Sequence, residues 1–77
     1  MENLELIKKI FSEELDIDSG IIKENSVLEE LGIDSLGWTE ILIELEKELD
    51  IEIDEDASIE ISNFTVRDLN NLIENSK

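Results

Sequence analysis

The chain contains no cysteine and no histidine. Their absence removes disulfides, the usual zinc ligands and the nucleophile–base pairs that operate near neutral pH. An autonomous enzyme is not expected from this set of side chains. Proline is also missing, and with no low-complexity tract or internal repeat nothing marks a linker between domains. A length of 77 residues at 40% hydrophobic content supplies one small core, so residues 1–77 read as a single, free-standing domain. No basic, apolar leader opens the chain, and no apolar run approaches the roughly 20 residues of a membrane span. A soluble, cytoplasmic protein is the expectation.

Positive charge is scarce too. Against 22 acids stand 6 bases, for a formal net charge of −16. Such a chain repels nucleic-acid phosphates and anionic membrane surfaces, so basic protein surfaces are the expected partners. An acidic surface also serves plain solubility, but the charge is not evenly spread. Asp34 to Glu60 holds 11 of the 22 acids with Lys47 as the sole base among them. Disorder, the other outcome of acidic composition, is opposed by regular Leu and Ile spacing and clear helix punctuation.

Leu4, Ile7, Phe11 and Leu15 recur at helical spacing beside Ile10, with Asn3 placed as an N-cap, which predicts a first amphipathic helix ending near Asp16. The turn-prone "DSG" and the aperiodic residues up to Asn25 then form a loop. Within it Ser26 and Glu29 have capping-box spacing ahead of Leu28 and Leu31, and Gly32 suits a left-handed stop, so one helical turn is expected there. Asp34 opens a helix of about 16 residues, to Asp50. The following "IEIDEDASIEIS" reads either as an edge strand over Ile51–Ile53 or as a turn into a short helix at Ala57–Ile61. The helix is preferred, because an isolated strand has no pairing partner. Thr65 with Asp68 makes a capping box, and Phe64 with Leu69 a hydrophobic staple, for a last helix carrying Leu69, Leu72 and Ile73. The expected fold is all-α: a small four-helix bundle of three main helices and one short one.

On the helix after Asp34, Trp38, Ile41, Leu42, Leu45 and Leu49 fall on a face about 100° wide that suits a core. Leu36 and Ile43 lie nearly opposite, within about 20° of each other, on the side of Glu40, Lys47 and Asp50. Scattered exposed aliphatics are ordinary, but this pair among acids also suits a docking stripe. Ser35 takes the first helical position, where unpartnered N–H groups and the helix dipole welcome a phosphate. Local physics leaves two readings open: an attachment point for such a group, or a spare capping hydroxyl.

"LGIDSL", followed by the acidic "EILIELEKELDIEI" and then "FTVRDLNNLI", resembles the acyl carrier protein family across nearly the whole chain. That resemblance implies a four-helix bundle, with 4′-phosphopantetheine attached covalently to Ser35 and Asp34 as the acid beside it. It also implies a non-catalytic monomer whose arm is installed from coenzyme A by a separate phosphopantetheinyl transferase. Acyl intermediates of fatty acid, polyketide or related biosynthesis would travel on that arm as thioesters. Leu36, Glu40, Ile43 and Glu44 would contact the basic surfaces of partner enzymes.

Departures from the fatty-acid type accompany the match. Gly37 stands where an acid is common, and Trp38 is bulkier than usual; it either completes the core or narrows an acyl cavity. The expected proline after "IEI" is missing, and the segment before Phe64 is longer. An aminoacyl or peptidyl carrier, including the D-alanyl type, would share Ser35 and the arm, whereas an unmodified acidic helical adaptor would use only the Leu36 and Ile43 stripe. Calcium is disfavoured despite the alternating Asp50, Glu52, Asp54 and Asp56. A twelve-residue loop begun at Asp50 has Glu55 at the turn-glycine position and Ile61 at the bidentate position, and one begun at Asp16 has Ile21 in place of the glycine.

Overall fold

The structure is a computed structural model and describes residues 2–53 and 61–76. Among the described residues there are three α-helices, α1 (Leu4–Leu15), α2 (Ser35–Leu49) and α3 (Val66–Asn75), with three single 3-10 turns between them. Helix α1 buries Ile7, Ile10 and Phe11. It ends at Asp16, which takes a left-handed conformation at φ 57°, a region Asp visits more readily than most residues because its short side chain can bond locally. Asp50 closes α2 the same way, at φ 52°. Ile7, Phe11, Ile22, Leu28, Ile41, Leu45, Val66, Leu69 and Ile73 are fully buried and form one core with Trp38 and Ile33.

The long connection from α1 to α2 is fastened to the start of α3 by backbone bonds. Leu28 N–H donates to Phe64 O at 2.8 Å, Val66 N–H to Ser26 O at 2.9 Å, and Arg67 N–H to Glu24 O at 2.8 Å. Val27 and Thr65 thereby form an isolated antiparallel bridge. The first amides of a helix lack intrahelical acceptors, so these loop carbonyls supply what α3 needs. The expected capping box completes the set, with Thr65 Oγ1 accepting from Asp68 N–H at 3.1 Å and Asp68 Oδ2 from Thr65 N–H at 3.0 Å.

Several expectations are corrected. Asn3 sits at the N-cap position of α1, but its side chain makes no capping bond. Its backbone N–H and its Nδ2 both donate to Asn70 Oδ1, at 3.1 and 2.9 Å, so a buried acceptor on α3 claims it. Ser26 and Glu29 form no capping box: Ser26 Oγ accepts from Lys23 N–H at 2.9 Å inside the loop, and the 3-10 turn Glu29–Leu31 follows Leu28 instead. Gly32 ends that turn at φ 87°, as expected. Ile51–Ile53 is not a strand, in keeping with the preferred reading; Ile53 is buried and its N–H donates to Glu46 Oε2 at 3.0 Å. Residues 57–60 of the expected short helix lie outside the described residues, and Ile61–Asn63 forms a 3-10 turn. The all-helical class stands with the three main helices in place, and the short fourth one falls almost wholly outside the described residues.

Asn70 is 9% exposed and Asn3 7%, so removing their shared acceptor strands buried donors. Asn70→Ala should lower the unfolding free energy by about 1–3 kcal/mol, read as a lower midpoint in urea with an unchanged slope.

Candidate functional site

Helix α2 is aimed by the residues just before it. Leu28 and Ile33 are buried on either side of the Glu29–Leu31 turn, and Ile33 N–H returns to Leu28 O at 3.1 Å. Gly32, left-handed, turns the chain so that Asp34 enters the helix from an extended conformation. Asp34 Oδ1 then accepts from Gly37 N–H at 2.8 Å, and Trp38 N–H donates to Asp34 O at 2.9 Å. The Asp34 carboxylate is thus the N-cap expected from sequence.

Ser35 follows as the first residue of α2 and is exposed. Its carbonyl accepts from Thr39 Oγ1 at 3.0 Å, while no described residue is bonded to its hydroxyl. An open recess of about 420 Å³ lies beside it, lined by Glu29, Gly32, Ile33, Asp34 and Ser35. The hydroxyl therefore stands clear at a helix end whose dipole is positive. The geometry fits a covalently attached phosphate: an accessible oxygen, no competing hydrogen bond from a described residue, and the Ser35 and Leu36 amides without a described partner.

Gly37, two residues on, is buried against α1. A Cβ there would lie 3.4 Å from Leu15 Cδ2 and 3.4 Å from Asp34 Oδ1, at the edge of ordinary contact. Trp38 turns inward, 6% exposed, and its ring meets Phe64 edge-on with centroids 5.1 Å apart. Ile41, Leu42 and Leu45 continue the buried face, and Leu49 is half-buried against it.

The opposite face carries the expected stripe. Leu36 is 69% exposed and Ile43 46%, and with Glu40, also exposed, they follow helical spacing along one side of α2. Glu44 belongs less fully to that surface. It is half-buried, and its carboxylate lies 3.7 Å from Lys47 Nζ. Sequence reasoning missed Ile21, which is 55% exposed in the loop; in "GIIK" nothing but the backbone conformation decides which of the two isoleucines turns out. It also missed Glu46, whose bond to Ile53 N–H has no signature in spacing. Among the described residues no group of three or more His, Cys, Asp or Glu is arranged to hold a metal ion, and Asp54 and Asp56 lie outside them. No helix among the described residues is long and apolar enough to cross a membrane.

Comparison with known proteins matches most of the chain. Residues 5–73 match the family model described as "phosphopantetheine attachment site". The chain is 38% identical over 71 residues to an acyl carrier protein of Campylobacter lari, covering 90% of this chain and 88% of that one. It is 42% identical over 64 residues to an acyl carrier protein of Buchnera aphidicola, covering 80% of each. With the acyl carrier protein of Campylobacter jejuni subsp. doylei it shares 35% identity over 79 residues, covering 100% and 99%.

The first turn of α2 yields a paired expectation for chemical denaturation. Asp34→Ala should cost about 1 kcal/mol by uncapping the helix. Gly37→Ala should instead gain up to about 1 kcal/mol, because the helix loses a flexible residue and the new methyl meets Leu15, Asp34 and Ile33 no closer than 3.4 Å.

Proposed function

This chain belongs to the acyl carrier protein family, and from that premise we propose that Ser35 is the residue through which it carries its cargo. Members are carriers rather than catalysts, and the 4′-phosphopantetheine they bear covalently supplies a thiol that holds acyl groups as thioesters. The observation that carries the assignment to Ser35 is its exposed position at the head of α2, with no described residue bonded to its hydroxyl. The family's Asp-Ser-Leu motif maps onto Asp34, Ser35 and Leu36 without a gap.

The roles of the neighbouring side chains follow from their chemistry. Asp34 is occupied as a cap, with Oδ1 on the Gly37 amide, the chain has no histidine, and no described carboxylate is bonded to the Ser35 hydroxyl to take its proton. Loading falls to a separate phosphopantetheinyl transferase that brings its own base and uses coenzyme A. Uncommitted amides at the start of α2 favour the negative charge of the attached phosphate. Leu36 and Ile43 offer partner enzymes apolar contact, and Glu40, with Glu44 in part, attracts their basic surfaces. Such encounters are fast, salt-sensitive and individually weak, which suits a shuttle that must leave each partner. In this reading residues 1–77 act as one carrier domain, monomeric and cytoplasmic.

Incubation with coenzyme A and a permissive phosphopantetheinyl transferase, followed by intact-mass measurement, tests the attachment. The wild type should gain the mass of one phosphopantetheine and Ser35→Ala, folded by circular dichroism, none. No gain in the wild type, or equal gain in both, would defeat the assignment and leave an unmodified adaptor.

The docking role makes a separate prediction. Leu36→Asp leaves the core untouched and should slow loading by the transferase by about tenfold or more at equal protein concentration, with the melting temperature unchanged. Loading at the wild-type rate would remove Leu36 from the docking surface.

A further inference from the structure

Positive charge, thin over the chain as a whole, gathers in one place. Lys8 of α1, Lys23 of the loop and Arg67 of α3 line a single open recess of about 590 Å³, to which α2 contributes nothing. These are three of the chain's 6 bases. Arg67 is positioned by its amide bond to Glu24 O, and its guanidinium lies 3.6 Å from Glu24 Oε1. Its side chain nonetheless remains 64% exposed, which leaves most of the planar donor fork open. Lys8 and Lys23 make no ion pair among the described residues. With Glu24 as the one acid lining it, the recess is locally positive in a chain of net charge −16.

An apolar contact accompanies the charge. Ile22 is fully buried in an extended conformation, φ −86° and ψ 115°. On either side of it Ile21, the last residue of the Ser19–Ile21 turn, and Lys23 are both exposed. Among the described residues Ile21 is one of three large aliphatics left exposed, and the other two, Leu36 and Ile43, lie on α2. An exposed aliphatic two residues before one of the recess bases repeats the pattern of the α2 stripe with the sign of charge reversed.

We propose that this face is a second docking surface, and that it takes an acidic peptide segment bearing a bulky apolar side chain. Lys8, Lys23 and Arg67 pair with the segment's carboxylates, and Ile21 covers its apolar residue. The acids elsewhere on the chain repel such a partner at long range, so selection acts at contact distance, where those distant charges are screened. A partner engaged on α2 through a basic surface leaves this face free, because the two surfaces share no residue.

The test uses the full chain, uniformly labelled with nitrogen-15, and a blocked pentapeptide of two glutamates, a leucine and two glutamates. The expected result is saturable movement of the amide signals of Ile21, Lys23, Lys8 and Arg67, with those of α2 unmoved. Lys23→Glu and Ile21→Ser, both exposed and outside the core, should each weaken the interaction by about fivefold or more while leaving the rest of the spectrum in place. Absence of movement at millimolar peptide, movement centred elsewhere, or indifference to both substitutions would overturn the proposal. It would also be overturned if inorganic phosphate produced the same movements with the same affinity, which would make the recess a simple anion site. Movement of these signals with protein concentration alone would assign the surface to a second copy of the chain, again against the proposal.

Discussion

Two peptide carbonyls in the long loop, those of Glu24 and Ser26, accept the amides of Arg67 and Val66 at the opening of α3. Much of the remaining architecture depends on that exchange. A helix that begins inside a folded protein must find acceptors for its first amides, and an irregular loop must find partners for its own backbone. Here each answers the other. Because the loop is held, Leu28 and Ile33 are seated in the core, Gly32 can make its turn, and Asp34 arrives where it can cap α2. The orientation of Ser35 is thus set from the far end of the chain.

The same economy governs α2, which presents two different surfaces in 15 residues. One face is spent on the core through Trp38, Ile41, Leu42 and Leu45. The other leaves Leu36 and Ile43 in water, which is the surface the proposed docking role would use. The cap fixes the first turn, where Ser35 and Leu36 stand exposed side by side, while the buried face anchors the helix behind them. Asp34 serves that anchoring directly, with Oδ1 on the Gly37 amide.

Periodic features were readable from the chain alone. The helices, the Thr65 capping box, the left-handed Gly32 and the outward Leu36 and Ile43 all follow from spacing and local propensity, which act within a turn or two. Features that depend on distant residues were not. Asn3 has the composition of an N-cap, yet Asn70, 67 positions away, takes its hydrogen bonds. Ser26 has capping-box spacing with Glu29, yet the pairing of Val27 with Thr65 keeps that stretch in the loop. The exposed Ile21 and the basic recess were equally invisible, because both arise from where the loop is tied down. Ser35 itself was legible as a position, but its role needed the family motif around it.

Trp38 is the single tryptophan in a chain without tyrosine, and it is packed edge-on against Phe64, whose own carbonyl holds Leu28. All ultraviolet emission excited at the red edge of protein absorbance therefore originates at one ring, at the junction where the loop and the head of α3 meet the first turn of α2. Loosening of that junction by heat, by a partner or by an acyl group pressing inward would alter the wetness around the indole and shift its colour. The molecule carries its own optical gauge, set beside the serine whose surroundings it reports.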